Sequence, residues 1–172
     1  MNLKEELLKE PSNLQATKVA EYIGDDAVRF EKLLKLFTGN EYRLCQRSAW
    51  VLSKCYDLNP KLVEPFVPRL IENLKSHDLH DAVKRNTVRV LQFMPIPEES
   101  ELTLMDVCFR YLSTVKEAVA IKVFSMTVLA KLAKKYPDIK NELIPLIEDQ
   151  LPHGTAGIRS RGKKVLAQLK NS

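Results

Sequence analysis

His77, Asp78, His80 and Asp81 fall together just ahead of an apolar helical stripe. Two imidazoles three residues apart can share one metal ion. The same four residues also suit a polar first turn, with carboxylates near the positive end of a helix. The second reading is the simpler, and no metal site is expected. Glu98, Glu99 and Glu101 follow Pro97 and read as first-turn acids rather than a catalytic pair. Cys45, Cys55 and Cys108 have no Cys-x-x-Cys spacing, lie in or beside apolar stripes and read as packing residues. There is no glycine-rich phosphate loop, no nucleophile elbow and no His-Glu-x-x-His. No nucleophile, base and oxyanion donor can be assembled from the remaining residues. The expectation is a protein without catalysis, cofactor or small-molecule substrate.

Such a chain has to act through surfaces, and its secondary-structure elements build them. Its 172 residues suit one domain, and 45% hydrophobic with 28% charged residues is an ordinary globular balance. No apolar run reaches 18 residues, so no membrane span is expected. Met1 to Glu10 alternates Leu with Lys and Glu and is no secretory signal. An odd number of cysteines without a metal spacing points to a reducing cytoplasm. Apolar residues recur at helical spacing nearly throughout, and Pro, Gly and Asn fall between the stripes. Ten helices are predicted near 2–10, 12–23, 25–38, 41–57, 60–76, 79–94, 98–113, 116–135, 137–151 and 155–170, with no strand.

An internal repeat organises these helices. A Val-Leu pair stands at 51–52, 90–91, 128–129 and 165–166. Seven residues before each Val lies an aliphatic residue, namely Leu44, Val83, Ile121 and Ile158. A base follows it in three copies, as Lys84, Lys122 and Arg159. In the alternate helix, Pro60 and Pro68 correspond to Pro137 and Pro145. Pro68 and Pro145 are expected to bend their helices. Units of this length and pattern cannot satisfy their own apolar faces, so they stack.

Two helices per 37–39 residues, with an aliphatic-basic step opening the second, resemble the HEAT family of helical repeats. The resemblance implies an all-α fold, a right-handed α-solenoid of about five stacked antiparallel helix pairs, HEAT- or ARM-like. Residues 1–172 would form one such domain. Its repeats would be 25–57, 60–94, 98–135 and 137–170, after a degenerate first pair at 1–24. First helices would lie on the convex side and second helices on the concave side. The bases at Lys84, Lys122 and Arg159 would serve hydrogen bonds between repeats and to loop carbonyls.

Charge divides between the helix classes. The second helices carry sixteen basic and four acidic residues, and their first-helix partners eight and thirteen. If the second helices line a hollow, that hollow is basic and favours anionic partners. Helical phase, about 100° per residue, sorts the positions. With Val83 and its equivalents as position 0, positions 0, 4, 7, 8 and 11 form the buried stripe. Positions 2 and 6 point away from it, and positions 3 and 10 lie on its flanks. This selects Arg47, Trp50, Lys54, Arg85, Arg89, Lys131, Arg161 and Lys164 as partner-binding candidates. Trp50 beside Arg89 has the composition of an interaction hot spot; packing beneath the terminal helices is the other reading. Val123, Met126, Thr127 and Ala130 form either an apolar floor for a bound helix or a closer-packed segment. The expected function is a scaffold that binds an acidic protein or peptide segment. The alternative is nucleic-acid binding. Alkylpurine DNA glycosylases are built on a similar repeat architecture, but no groove-lining carboxylate appears here.

Overall fold

A computed structural model describes residues 1–171. Two compact units divide between Pro95 and Ile96. The first holds α1 (Leu3–Lys9), α2 (Asn13–Ile23), α3 (Ala27–Phe37), α4 (Tyr42–Leu58), α5 (Pro60–Val63), α6 (Val67–Asn73) and α7 (Asp81–Leu91). The second holds α8 (Glu98–Ser113), α9 (Val119–Leu132), α10 (Lys140–Gln150) and α11 (Ala156–Lys170). A 3-10 turn over Glu64–Phe66 joins α5 to α6, and another over Pro137–Ile139 leads into α10. Taking α5, its turn and α6 as one interrupted rod, the described residues form ten helical segments and no strand.

Local chemistry explains most boundaries. Asn2, Ser12, Asp26 and Thr155 accept backbone N–H groups at the starts of α1, α2, α3 and α11. Gly24 ends α2 at a φ of 56°, the only positive φ among the described residues, where its N–H reaches the Ala20 carbonyl. Pro68 differs from the expected mid-helix kink. The rod is broken one turn earlier, at the Glu64–Phe66 turn that contains Pro65, so Pro68 falls in the first turn of α6. A missing N–H is harmless there. Pro145 does lie inside α10.

The stripe assigned from phase is the core. All twenty residues at positions 0, 4, 7, 8 and 11 of the four copies, which lie in α4, α9 and α11 and in α7 with the turn that follows it, are buried. Position 4 is small in every copy, as Ser48, Thr87, Ser125 and Gly162. The fourth copy shows why. A Cβ on Gly162 would lie 2.7 Å from Leu151 Cδ2 and 3.1 Å from Ile147 Cγ2, so α11 meets α10 at close range.

Both units are layered. In the first, α4 packs between α2 and α7, its second-helix neighbours, and also against α3. First helices meet through the Phe30 and Phe66 rings, 5.0 Å apart, and an Arg69–Glu31 ion pair at 2.5 Å. In the second, α9 packs on α8 and α11, and α10 on α11 and α8. Among the described residues no helix is long and apolar enough to cross a membrane.

Candidate functional site

Two of the three bases at position 1, Arg159 and Lys122, make the loop-carbonyl and inter-repeat bonds that the repeat reading expected, and the third, Lys84, pairs within its own helix. The Arg159 guanidinium donates to the Gly154 carbonyl at 2.6 Å. Lys122 reaches Gln150 at 3.4 Å, and Gln150 in turn donates to the Leu112 carbonyl at 3.0 Å. That chain ties three helices of the second unit. Burial holds the Lys122 ammonium below its usual range, with Glu117 opposing. Lys84 pairs with Asp81 at 3.0 Å across the first turn of α7.

In three of the four copies position 3 is a clasp to the preceding helix pair, a role the helical phase does not reveal; in the third copy it is Phe124. Arg47 donates to the Leu7 carbonyl at 2.5 Å and so closes the end of α1. In the next copy, Asn86 accepts from the Ser53 hydroxyl at 2.8 Å and donates to the Ala82 carbonyl at 2.7 Å, all within the interior. In the fourth copy, Arg161 donates to the Thr127 hydroxyl. Equal positions of neighbouring second helices therefore do not face each other. Position 3 faces position 9 or 6, because ridges of one helix settle into grooves of the next.

The same stagger rearranges the neighbours of Trp50. Arg89 does not lie over it; the Arg89 guanidinium pairs with Asp57 of α4 at 2.9 Å. Trp50 instead meets Arg85 around a surface pocket of about 250 Å³. Arg47, Asn86 and Gln46 form the polar part of its wall, and Pro11 and Ala82 the apolar part. Arg47 and Asn86 are immobilised by the bonds above. Gln46 and Arg85 are exposed, and Trp50 is half-buried. The side chains of Trp50, Gln46 and Arg85 make no hydrogen bond or ion pair among the described residues. Pro11 reaches the pocket from the α1–α2 loop, which no helical pattern could indicate.

The remaining candidates are dispersed. Lys54 is half-buried and makes no ion pair among the described residues. Lys164 is exposed on α11 and likewise has none among the described residues. Lys131 is half-buried, and burial holds its ammonium below the usual range. In the third copy, Met126 and Ala130 are buried in the second unit and so are not an open floor; Val123 and Thr127 are partly accessible. α9 is apolar on more than one side because both α8 and α11 cover it.

The chemistry-bearing clusters have structural work. His80 accepts the Ala82 N–H on Nδ1 at 2.8 Å, capping α7, and its ring packs against Tyr42 at 4.2 Å. Among the described residues no three His, Cys, Asp or Glu side chains converge as metal ligands would. Glu101 is more than a first-turn acid. It is buried and accepts from the Tyr136 hydroxyl at 2.6 Å and Lys135 at 2.7 Å, which hold its carboxyl below the usual range. The three cysteines are free and buried. Burial pushes the Cys55 and Cys108 thiols up to about 12, far from nucleophilic character.

No curated protein and no solved structure matches the chain at a significant level. The family model described as the HEAT repeat domain matches residues 3–169. With its paired helices, small position 4 and basic clasps between pairs, the chain belongs to the HEAT repeat family.

Proposed function

We propose that this HEAT repeat protein is a non-catalytic scaffold whose second helices bind an acidic segment of a partner protein. HEAT repeats generally mediate protein interactions, which supports the scaffold class. The observation that carries the acidic partner is the state of the cations in the first unit. Arg43 and Arg85 are exposed and Lys54 half-buried, none with a carboxylate partner among the described residues. They stand on a helix class poor in acids, whereas the first-helix bases Lys32, Lys35 and Lys61, also unpaired among the described residues, stand on a class rich in them. Unpaired cations on acid-poor helices steer an anionic segment and fix its register. Lys163 and Lys164 give the second unit a basic surface of the same kind.

Binding of a fluorescein-labelled, glutamate-rich peptide of about twenty residues, followed by anisotropy, tests the reading. The parent should bind, and a variant with Lys54→Glu and Arg85→Glu should lose about tenfold or more at unchanged helicity, since each reversal turns attraction into repulsion. No binding by the parent, or equal binding by the variant, refutes the proposal. Tighter, steeply salt-dependent binding of a short DNA duplex would place the function with nucleic acid instead.

A further inference from the structure

The Trp50 pocket carries a finer statement about the partner, and it rests on the acidic-segment reading. A basic surface alone attracts any polyanion and needs no cavity. This pocket combines an indole face, Pro11 and Ala82 with unused donors on Trp50, Gln46 and Arg85. A cavity of roughly 150 Å³ accepts benzene, so about 250 Å³ takes one aromatic or long aliphatic side chain with room at the mouth. The floor is rigid before any partner arrives, because Arg47 is tied to the Leu7 carbonyl and Asn86 to Ser53 and Ala82. A preformed wall lowers the ordering cost of binding. Arg85 stands exposed at the same pocket, its guanidinium without an ion pair among the described residues. Carboxylates meet guanidinium in two parallel hydrogen bonds.

We infer that the pocket reads a two-part signature: an aromatic or leucine-like side chain seated on Trp50, and an aspartate or glutamate of the same segment, within about two residues, on Arg85. The apolar anchor supplies affinity through burial, and the neighbouring acid selects against apolar segments without charge. This differs from polyanion binding in a way that can be read directly, because Trp50 is the only tryptophan of the chain.

A display library of random twelve-residue peptides, panned on the full chain, is the probe. Enriched peptides are then titrated while Trp50 emission is recorded. The expected result is enrichment of an aromatic or leucine within two residues of an acid. Those peptides should shift Trp50 emission and lose about tenfold or more in affinity when the anchor is changed to alanine. Arg85→Glu should abolish the acid preference, and Trp50→Phe should weaken binding while keeping the fold, as circular dichroism would show. Acidic enrichment without an anchor, or binding that leaves Trp50 emission unchanged, overturns the pocket inference while the basic-face reading stands. Enrichment with no acidic residue overturns both.

Discussion

The Ser53–Asn86 pair gives the sharpest test of how neighbouring repeats are held. The Ser53 hydroxyl and the Asn86 carboxamide meet at 2.8 Å in the interior between α4 and α7. Replacing Ser53 by Ala removes the donor and leaves the Asn86 oxygen buried without a partner, which costs about 1–2 kcal/mol. Replacing Asn86 by Ala strands the Ser53 hydroxyl and also removes the bond to the Ala82 carbonyl, so about 2–3 kcal/mol is expected. The double variant strands neither partner of the pair. It should therefore be more stable than the sum predicts, by about 1 kcal/mol. Urea unfolding followed by Trp50 emission reports on α4 itself. With a slope of about 2 kcal/mol per molar, Ser53→Ala should move the midpoint down by roughly 0.5–1 M. Single effects that add to within about 0.5 kcal/mol would refute the clasp at position 3.

Three further outcomes follow from the same structure. Val90→Asp places an unpaired carboxylate at a fully buried position of α7. The cost of several kcal/mol rivals the whole margin of a domain, so cooperative unfolding by Trp50 emission should disappear. Gly154→Ala would put a Cβ 2.7 Å from the Gln150 carbonyl and 2.6 Å from Ile158, and backbone cannot yield cheaply. A loss of about 1–3 kcal/mol, or several degrees in Tm, should appear in calorimetry. His80 is held below its ordinary value of 6.5, first by burial, with Arg85 and Lys84 acting in the same direction and Asp81 against it; the Tyr42 ring packs on its face. A depressed imidazole adds stability that is complete above about pH 6.5 and fades as pH falls through the folded value. Melting temperature should thus drop from pH 7.5 to pH 5, and His80→Asn, which keeps a capping oxygen, should flatten that drop.

Helix positions and the buried stripe were legible because both follow from periodicity. Leu44, Val83, Ile121 and Ile158 start the same stripe, and every member of it is buried. The break at Glu64–Phe66 was less legible. Pro68 drew attention by matching Pro145, whereas Pro65 has no counterpart in the other copy. Site residues were legible only as a face. Phase showed that Trp50, Arg85 and Arg89 point away from the stripe, but the axial offset between α4 and α7 is a tertiary quantity. That offset sends Arg89 to Asp57 and brings Arg85 to Trp50. Pro11 lies far from both in the chain, and its part in the pocket depends on how α1 and α2 are seated, which Arg47 enforces through one carbonyl.

The clasps differ from one junction to the next: a guanidinium on a backbone oxygen, an amide on a serine, a guanidinium on a threonine. Duplicated units usually suggest interchangeable parts. These three seams are each keyed, so shuffling, deleting or inserting one of their helix pairs would set mismatched groups against each other. An arginine meant for the end of α1 would face a serine sized for an amide. An engineer extending this chain would have to transplant seams rather than repeats.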